Sequence, residues 1–320
     1  MKRVVMTLAA LAFASAAAAQ QYPSRTVRVI VPWPPGQATD IAARMVALKL
    51  QEAMGQAFIV ENKPGAGGSI GTEVVAMSAG DGYTLLAASS GPISIMPVLQ
   101  KPSYDPLKDL APISLVARVP FALVVNPSFP AANAKEFIAL VRANPDKYAF
   151  SSSGTGATAH MFTELFNSMA QLKARHIPYK GTVPALTDIM NGQIAYTIET
   201  VAATGTHIKA GRLKAFGVTT KRRTAALPEL PPLAEAADLP DYDAAAWVGY
   251  MAPPGTPKEI LVRLAAEIQK ALNLDDLKER YLFLGMDVAS NTPDEMAVFL
   301  RREQERYAEI ARSANIKVEQ

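Results

Sequence analysis

Short runs of apolar, often β-branched residues recur along the chain at 27–31, 58–60, 83–88, 121–125, 149–151, 194–198 and 215–218. Arg175-His176-Ile177-Pro178 is also strand-like. Between these runs lie longer stretches with helical spacing, marked by Ile41, Arg44, Met45, Leu48 and Met54 in one and by Phe137, Leu140 and Val141 in another. The compact runs suit strands and the wider spacing suits helices, and their alternation predicts an α/β fold with mostly parallel sheets. Three helix starts carry a capping-box pattern, beginning at Asn133, Thr256 and Thr292, the last two followed by proline at the first helical position. The final helix is expected over 293–313, burying Met296, Phe299, Leu300, Tyr307 and Ile310. The stretch 227–242, rich in Pro, Ala and acidic residues, reads as a surface connection.

The first residues change the picture of where the chain works. Lys2 and Arg3 precede an apolar run over 4–14, and Ala17-Ala18-Ala19 supplies a small-residue cleavage pattern. That is the layout of a secretory signal peptide over 1–19, and the run falls short of the roughly 20 apolar residues a membrane span needs. The expected location is therefore the periplasm. No cysteine occurs, so neither a lipid-attachment cysteine nor a disulfide is available. The 32 Lys and Arg against 29 Asp and Glu give a net charge of +3, which falls to about +1 without Lys2 and Arg3. Such balance argues against nucleic-acid binding.

Three loops combine a strand end, glycines and a helix start, the setting in which free amides and the helix dipole favour an anion. The first is Val31-Pro32-Trp33-Pro34-Pro35-Gly36-Gln37-Ala38-Thr39-Asp40, where a rigid turn with Trp33 in the core is the alternative. The second is Asn62-Lys63-Pro64-Gly65-Ala66-Gly67-Gly68-Ser69-Ile70-Gly71. Its glycines mimic a dinucleotide fingerprint, but they follow the second strand and lack a well-placed acid downstream, which leaves a carboxylate cradle or a structural turn. The third, Ser151-Ser152-Ser153-Gly154-Thr155-Gly156-Ala157-Thr158-Ala159-His160, lacks the lysine of a phosphate-binding loop and offers hydroxyls and amides to a carboxylate or its waters.

Taken together, and with Tyr22-Pro23-Ser24-Arg25, Asp81-Gly82-Tyr83-Thr84-Leu85-Leu86, Tyr104-Asp105-Pro106, Pro112-Ile113-Ser114-Leu115-Val116-Ala117, Pro178-Tyr179-Lys180-Gly181, Ile208-Lys209-Ala210-Gly211 and Ala252-Pro253-Pro254-Gly255-Thr256-Pro257, the chain resembles the Bug-type solute receptors of tripartite tricarboxylate transporters. The resemblance covers essentially everything after the leader. It implies a two-lobed periplasmic binding protein, type II-like, each lobe a mixed sheet flanked by helices, that closes on a small carboxylate ligand. The partners it implies are the membrane permease subunits of such a transporter, with a monomer as the default for the class. Carried over by position, Trp33, Pro35, Gly36, Gln37 and Thr39 form the first binding loop, and Ala66 and Gly67 belong to the second. Ser89 and Ser90 face the same cleft, and Ser153, Gly154, Thr155, His160, Tyr179 and Glu199 come from the other lobe. Gln37 stands where the family usually has glycine, and Glu199 where it usually has Asp or Asn.

The expected lobes are 20–120 plus 231–320, and 121–230. His160, His176 and His207 lie on separate segments without metal-ligand spacing, so no metal or cofactor is expected. No G-x-S-x-G elbow surrounds the serine-rich loop and no paired carboxylates suggest acid–base work, so a secreted hydrolase is disfavoured and the chain is read as a non-enzyme. A ligand-presenting sensor for a membrane kinase or chemoreceptor is the other reading that the sequence leaves open.

Overall fold

The computed structural model describes residues 22–100, 102–145, 147–313 and 316. The expected leader lies outside them. The chain runs β1 (Val27–Val31), α1 (Ala38–Met54), β2 (Phe58–Asn62), α2 (Ser69–Ala76), β3 (Thr84–Ser89), α3 (Met96–Leu99), β4 (Ala111–Val125), α4 (Ala134–Ala143) and β5 (Ala149–Ser152). It continues through α5 (Thr158–Met169), β6 (Arg175–Pro178), α6 (Thr182–Met190), β7 (Tyr196–Thr200), α7 (Val201–Lys209), β8 (Lys214–Val218) and α8 (Leu233–Ala236). The last elements are β9 (Ala245–Ala252), α9 (Lys258–Leu272), α10 (Asp275–Phe283), β10 (Asp287–Val288) and α11 (Pro293–Ser313).

The apolar runs form strands, and the central β1 is covered on both faces. Val29 and Val31 sit in one core cluster with Ala42, Val46, Leu50, Leu264 and Ile268, while Ile30 joins Leu86, Trp247, Met296 and Leu300 in another. Burial on both sides explains why Val29, Ile30 and Val31 are apolar in succession, with Arg28 the exposed position of β1. The helix marked by Ile41, Arg44, Met45, Leu48 and Met54 forms as α1, with Ala42, Ala43, Val46, Ala47 and Leu50 inside and Leu48 exposed. The capping boxes at Asn133 and Thr292 form, with Asn133 accepting from the Glu136 amide and Thr292 Oγ1 from the Glu295 amide. Thr256 instead donates to Pro253 O, and α9 starts without a side-chain cap. Segment 227–242 is more than a surface connection: Leu227, Leu233 and Tyr242 are buried, and the Val218 amide donates to Pro231 O.

Two sheets share one strand. The first half of β4 pairs antiparallel with β9, which pairs antiparallel with β3; β1 lies between β3 and β2, all three parallel. The second half, from Phe121 on, pairs antiparallel with β7 on one side and β8 on the other, and β5 and β6 continue parallel to β7. The protein therefore has two lobes, each a mixed sheet flanked by helices. The shared strand also sets direction. β1, β2 and β3 run with β4, whereas β5, β6 and β7 run against it, so the carboxyl ends of the two sets point at each other across the junction. Ser89 at the end of β3 registers through Val248 with Ala117, and Thr200 at the end of β7 pairs with Phe121. Four steps of β4 separate those levels, roughly 13 Å at about 3.3 Å per residue.

Candidate functional site

On the first side of this gap the loops after β1, β2 and β3 interlock. Trp33, half-buried, donates its indole N–H to Ser89 Oγ at 2.8 Å. Its carbonyl accepts from Asn62 Nδ2 at 2.9 Å. Gly91 lies flat under the indole, where a Cβ would come within 3.0 Å of Trp33 Cζ2. Pro35, Gly36, Gln37, Ala66 and Gly67 are exposed at the loop tips, while Thr39, Ser89 and Ser90 are buried at the base. Gly36, at φ 86°, and Ala66 and Gly67, at φ 47° and 63°, hold left-handed turns. α1 begins after Gln37 with no side-chain cap, and α2 begins after Gly68 with the Ser69 amide donating to Ala66 O.

One organiser of this side was not foreseen from the sequence. Asp40 is buried and accepts from the Gly36 amide at 2.9 Å, from Asn62 Nδ2 at 2.8 Å and from Arg44 Nε at 3.1 Å. Burial works against its charge, but these bonds outweigh it and hold the carboxyl below the usual carboxylate range. Arg44 Nη2 in turn donates to Asn62 Oδ1 at 2.9 Å. The available signal was the i, i+4 spacing of Asp40 and Arg44; nothing in one sequence places Asn62 beside them.

On the opposite side the loop after β5 carries Ser153, Gly154 and Thr155, the first two half-buried and the third exposed. His160 is buried one turn into α5, and its Nδ1 accepts from the Gly156 amide at 3.1 Å. Ser152 Oγ lies 2.7 Å from His176 Nε2. The Tyr179 amide donates to Ser152 O, and the Tyr179 hydroxyl is bonded to Asp188 of α6, with burial and that acid pushing its pKa up to about 12. Glu199 is buried at the end of β7, accepting from the Thr200 amide at 2.7 Å and the Thr182 hydroxyl at 3.1 Å. Burial nonetheless raises its pKa. The fold thus gathers the expected residues into two facing sets, and among the described residues no hydrogen bond joins one set to the other. Two surface grooves of about 310 and 290 Å³ lie elsewhere, along α9, and contain none of them.

His176 gives this side a pH signature. Burial first, and His160 second, lower its pKa from 6.5 to about 4. Between those values the unfolded chain takes up a proton that the folded chain refuses. The stabilisation is therefore complete above pH 6.5 and is lost as pH falls toward 4. Urea unfolding of the wild type and of His176→Phe should show their stability difference shrinking by about 2 kcal/mol from pH 7.5 to 4, after allowance for partial solvent screening. A difference independent of pH would contradict this.

Two α/β lobes hung on a shared strand, with opposed loop sets, define a two-lobed periplasmic solute-binding protein, a receptor class rather than an enzyme. More particularly, the chain belongs to the tripartite tricarboxylate transporter family receptors, whose family model matches residues 42–316. It is 37% identical over 313 residues to the protein BugT of Bordetella pertussis, covering 97% of this chain and 96% of that one. It resembles the solved structure of Rpa4515 from R. palustris with adipate (TM-score 0.82, 32% identity, 93% of this chain and 99% of that chain). It also resembles MatC from Rhodopseudomonas palustris with bound malate (TM-score 0.77, 30% identity, 90% and 99%).

Proposed function

We propose that the protein is an extracytoplasmic receptor that captures a small carboxylate between its lobes and hands it to the permease subunits of a tripartite tricarboxylate transporter. The observation that carries this reading is the inversion of strand direction across β4, which turns two sets of helix N-termini and Gly- or Ser-rich loops toward one gap. The uncapped start of α1 after Gln37 suits an anionic head group, and Trp33 offers an apolar wall beside it. The adipate and malate in the two related structures support the same ligand class. Export through the leader at 1–19 and a monomeric state complete the reading. For the lobes we propose 20–120 plus 231–320 as the first and 121–230 as the second, a division supported by the passage of β4 from one sheet to the other at Phe121.

A ligand that touches both lobes stabilises the closed form by its differential affinity and raises the melting temperature by mass action. A thermal-shift screen over dicarboxylates, aromatic acids, amino acids and sugars tests the class; shifts with sugars alone would overturn it. Glu199→Gln should then lower affinity for an amine-bearing acid by about tenfold or more, the worth of one hydrogen bond to a charged group, and leave a plain diacid within about threefold. Equal losses measured by calorimetry would remove Glu199 from amine recognition.

A further inference from the structure

The loop after β5 is fastened at both ends by imidazoles. At its start, His176 Nε2 lies 2.7 Å from Ser152 Oγ, which also accepts from the Gly154 amide at 3.2 Å. At its end, His160 Nδ1 accepts from the Gly156 amide. The two rings are not independent. They stack at 3.8 Å between centroids with planes 12° apart, and Phe150 extends the stack at 4.9 Å from His176. His160 projects from the first turn of α5 and His176 from β6, so one face-to-face contact couples the helix start, the neighbouring strand and both ends of the loop. Between the two fastened points lie Ser153, Gly154 and Thr155, with Gly154 at φ 140°, a conformation that side-chain-bearing residues rarely adopt.

We propose that His160, seated against His176, is the positioning residue of the second lobe's ligand loop: its Nδ1 presets the turn 153–155 to receive a carboxylate by holding the Gly156 amide rather than by touching the ligand. This rests on the function proposed above. The geometry explains the requirement for this residue at position 160. Nδ1 must be the bare nitrogen, because the Gly156 amide is a donor and can pair only with an acceptor. The proton then sits on Nε2, which faces Glu164 Oε1 at 3.6 Å on the next turn of α5. A loop held this way reaches the ligand with its turn already formed, so less ordering cost is charged against binding.

Two side chains separate the nitrogens. Asparagine at 160 places an acceptor near the Nδ1 position, glutamine near the Nε2 position, and phenylalanine keeps the stacking ring without any acceptor. With adipate as the probe, H160F should bind about tenfold more weakly than wild type, H160N should recover to within about threefold, and H160Q should stay weak. In the ligand-free protein, exchange of the Gly156 amide should be about tenfold faster in H160F and near wild type in H160N. Long-range 1H–15N NMR of the wild type alone should find the His160 proton on Nε2, a readout that survives if H160F fails to fold. Wild-type affinity in H160F, rescue by H160Q instead of H160N, or a proton on Nδ1 would each overturn the proposal. If neither adipate nor malate binds the wild type, the ligand reading fails, while the exchange and NMR results still decide whether the clamp exists.

Discussion

Asp40→Ala is expected to destabilise the protein by about 3 kcal/mol and to weaken carboxylate binding by roughly a hundredfold. The carboxylate is nearly inaccessible, with a side chain 3% exposed, yet stays ionised because three donors converge on it. Removing it leaves the Gly36 amide and the Arg44 guanidinium without this acceptor and takes from Asn62 Nδ2 one of its two, the other being Trp33 O. Removing one partner of a buried ion pair costs about 3–5 kcal/mol, and the lower end applies because Gly36 and Arg44 both reach solvent. The binding loss follows from the same bonds. Gly36 belongs to the loop after β1 and Asn62 to the end of β2, so Asp40 holds two of the three first-lobe loops in register. Urea unfolding and adipate calorimetry on the purified variant check both numbers. A stability change under about 0.5 kcal/mol would show that the network is ornamental, since surface substitutions fall in that range.

A comparable loss is expected from Gly71→Ala, for a steric reason. A Cβ on Gly71 would lie 2.6 Å from Lys63 O and 2.9 Å from Pro32 Cα. Both obstacles are backbone, and Lys63 is itself bonded through its amide to Val31 O, so neither yields cheaply. The start of α2 must shift away from the two loops it touches. Overpacking of this kind costs about 1–3 kcal/mol, and displacing binding groups by about 1 Å is enough to remove most of the affinity. The melting temperature and the adipate affinity should fall together; a variant that melts and binds like wild type would refute the close packing. The same glycine had read in the sequence as part of a nucleotide-like fingerprint. Its role in the fold is to let a helix rest against the backbone of two neighbouring loops.

Much of the architecture was legible because it is written in local signals. The runs at 27–31, 58–60 and 149–151 became β1, β2 and β5 with little change, since short runs of β-branched and aromatic residues favour strands locally. The helix start at Asn133 and the whole of α11 followed from side-chain capping and three- to four-residue spacing, which depend only on near neighbours. β9 was passed over, and so was the first half of β4. These strands pair with partners more than 100 positions away, and the register that makes them one ladder has no local trace.

The sequence by itself determined that this is an α/β chain of balanced charge, with glycine- and serine-rich turns where strands pass into helices, and its motifs placed it among the tripartite tricarboxylate transporter receptors. Only the tertiary structure decided that β4 belongs to two sheets running in opposite senses, that Asp40 ties Gly36 to Asn62, and that His160 and His176 meet face to face. Turns, caps and buried runs are fixed by interactions across a few residues, which the order of amino acids states directly. Opposed loops, converging donors and stacked rings are fixed by the directions of strands far apart in the chain, which exist only once the backbone has closed its long-range hydrogen bonds.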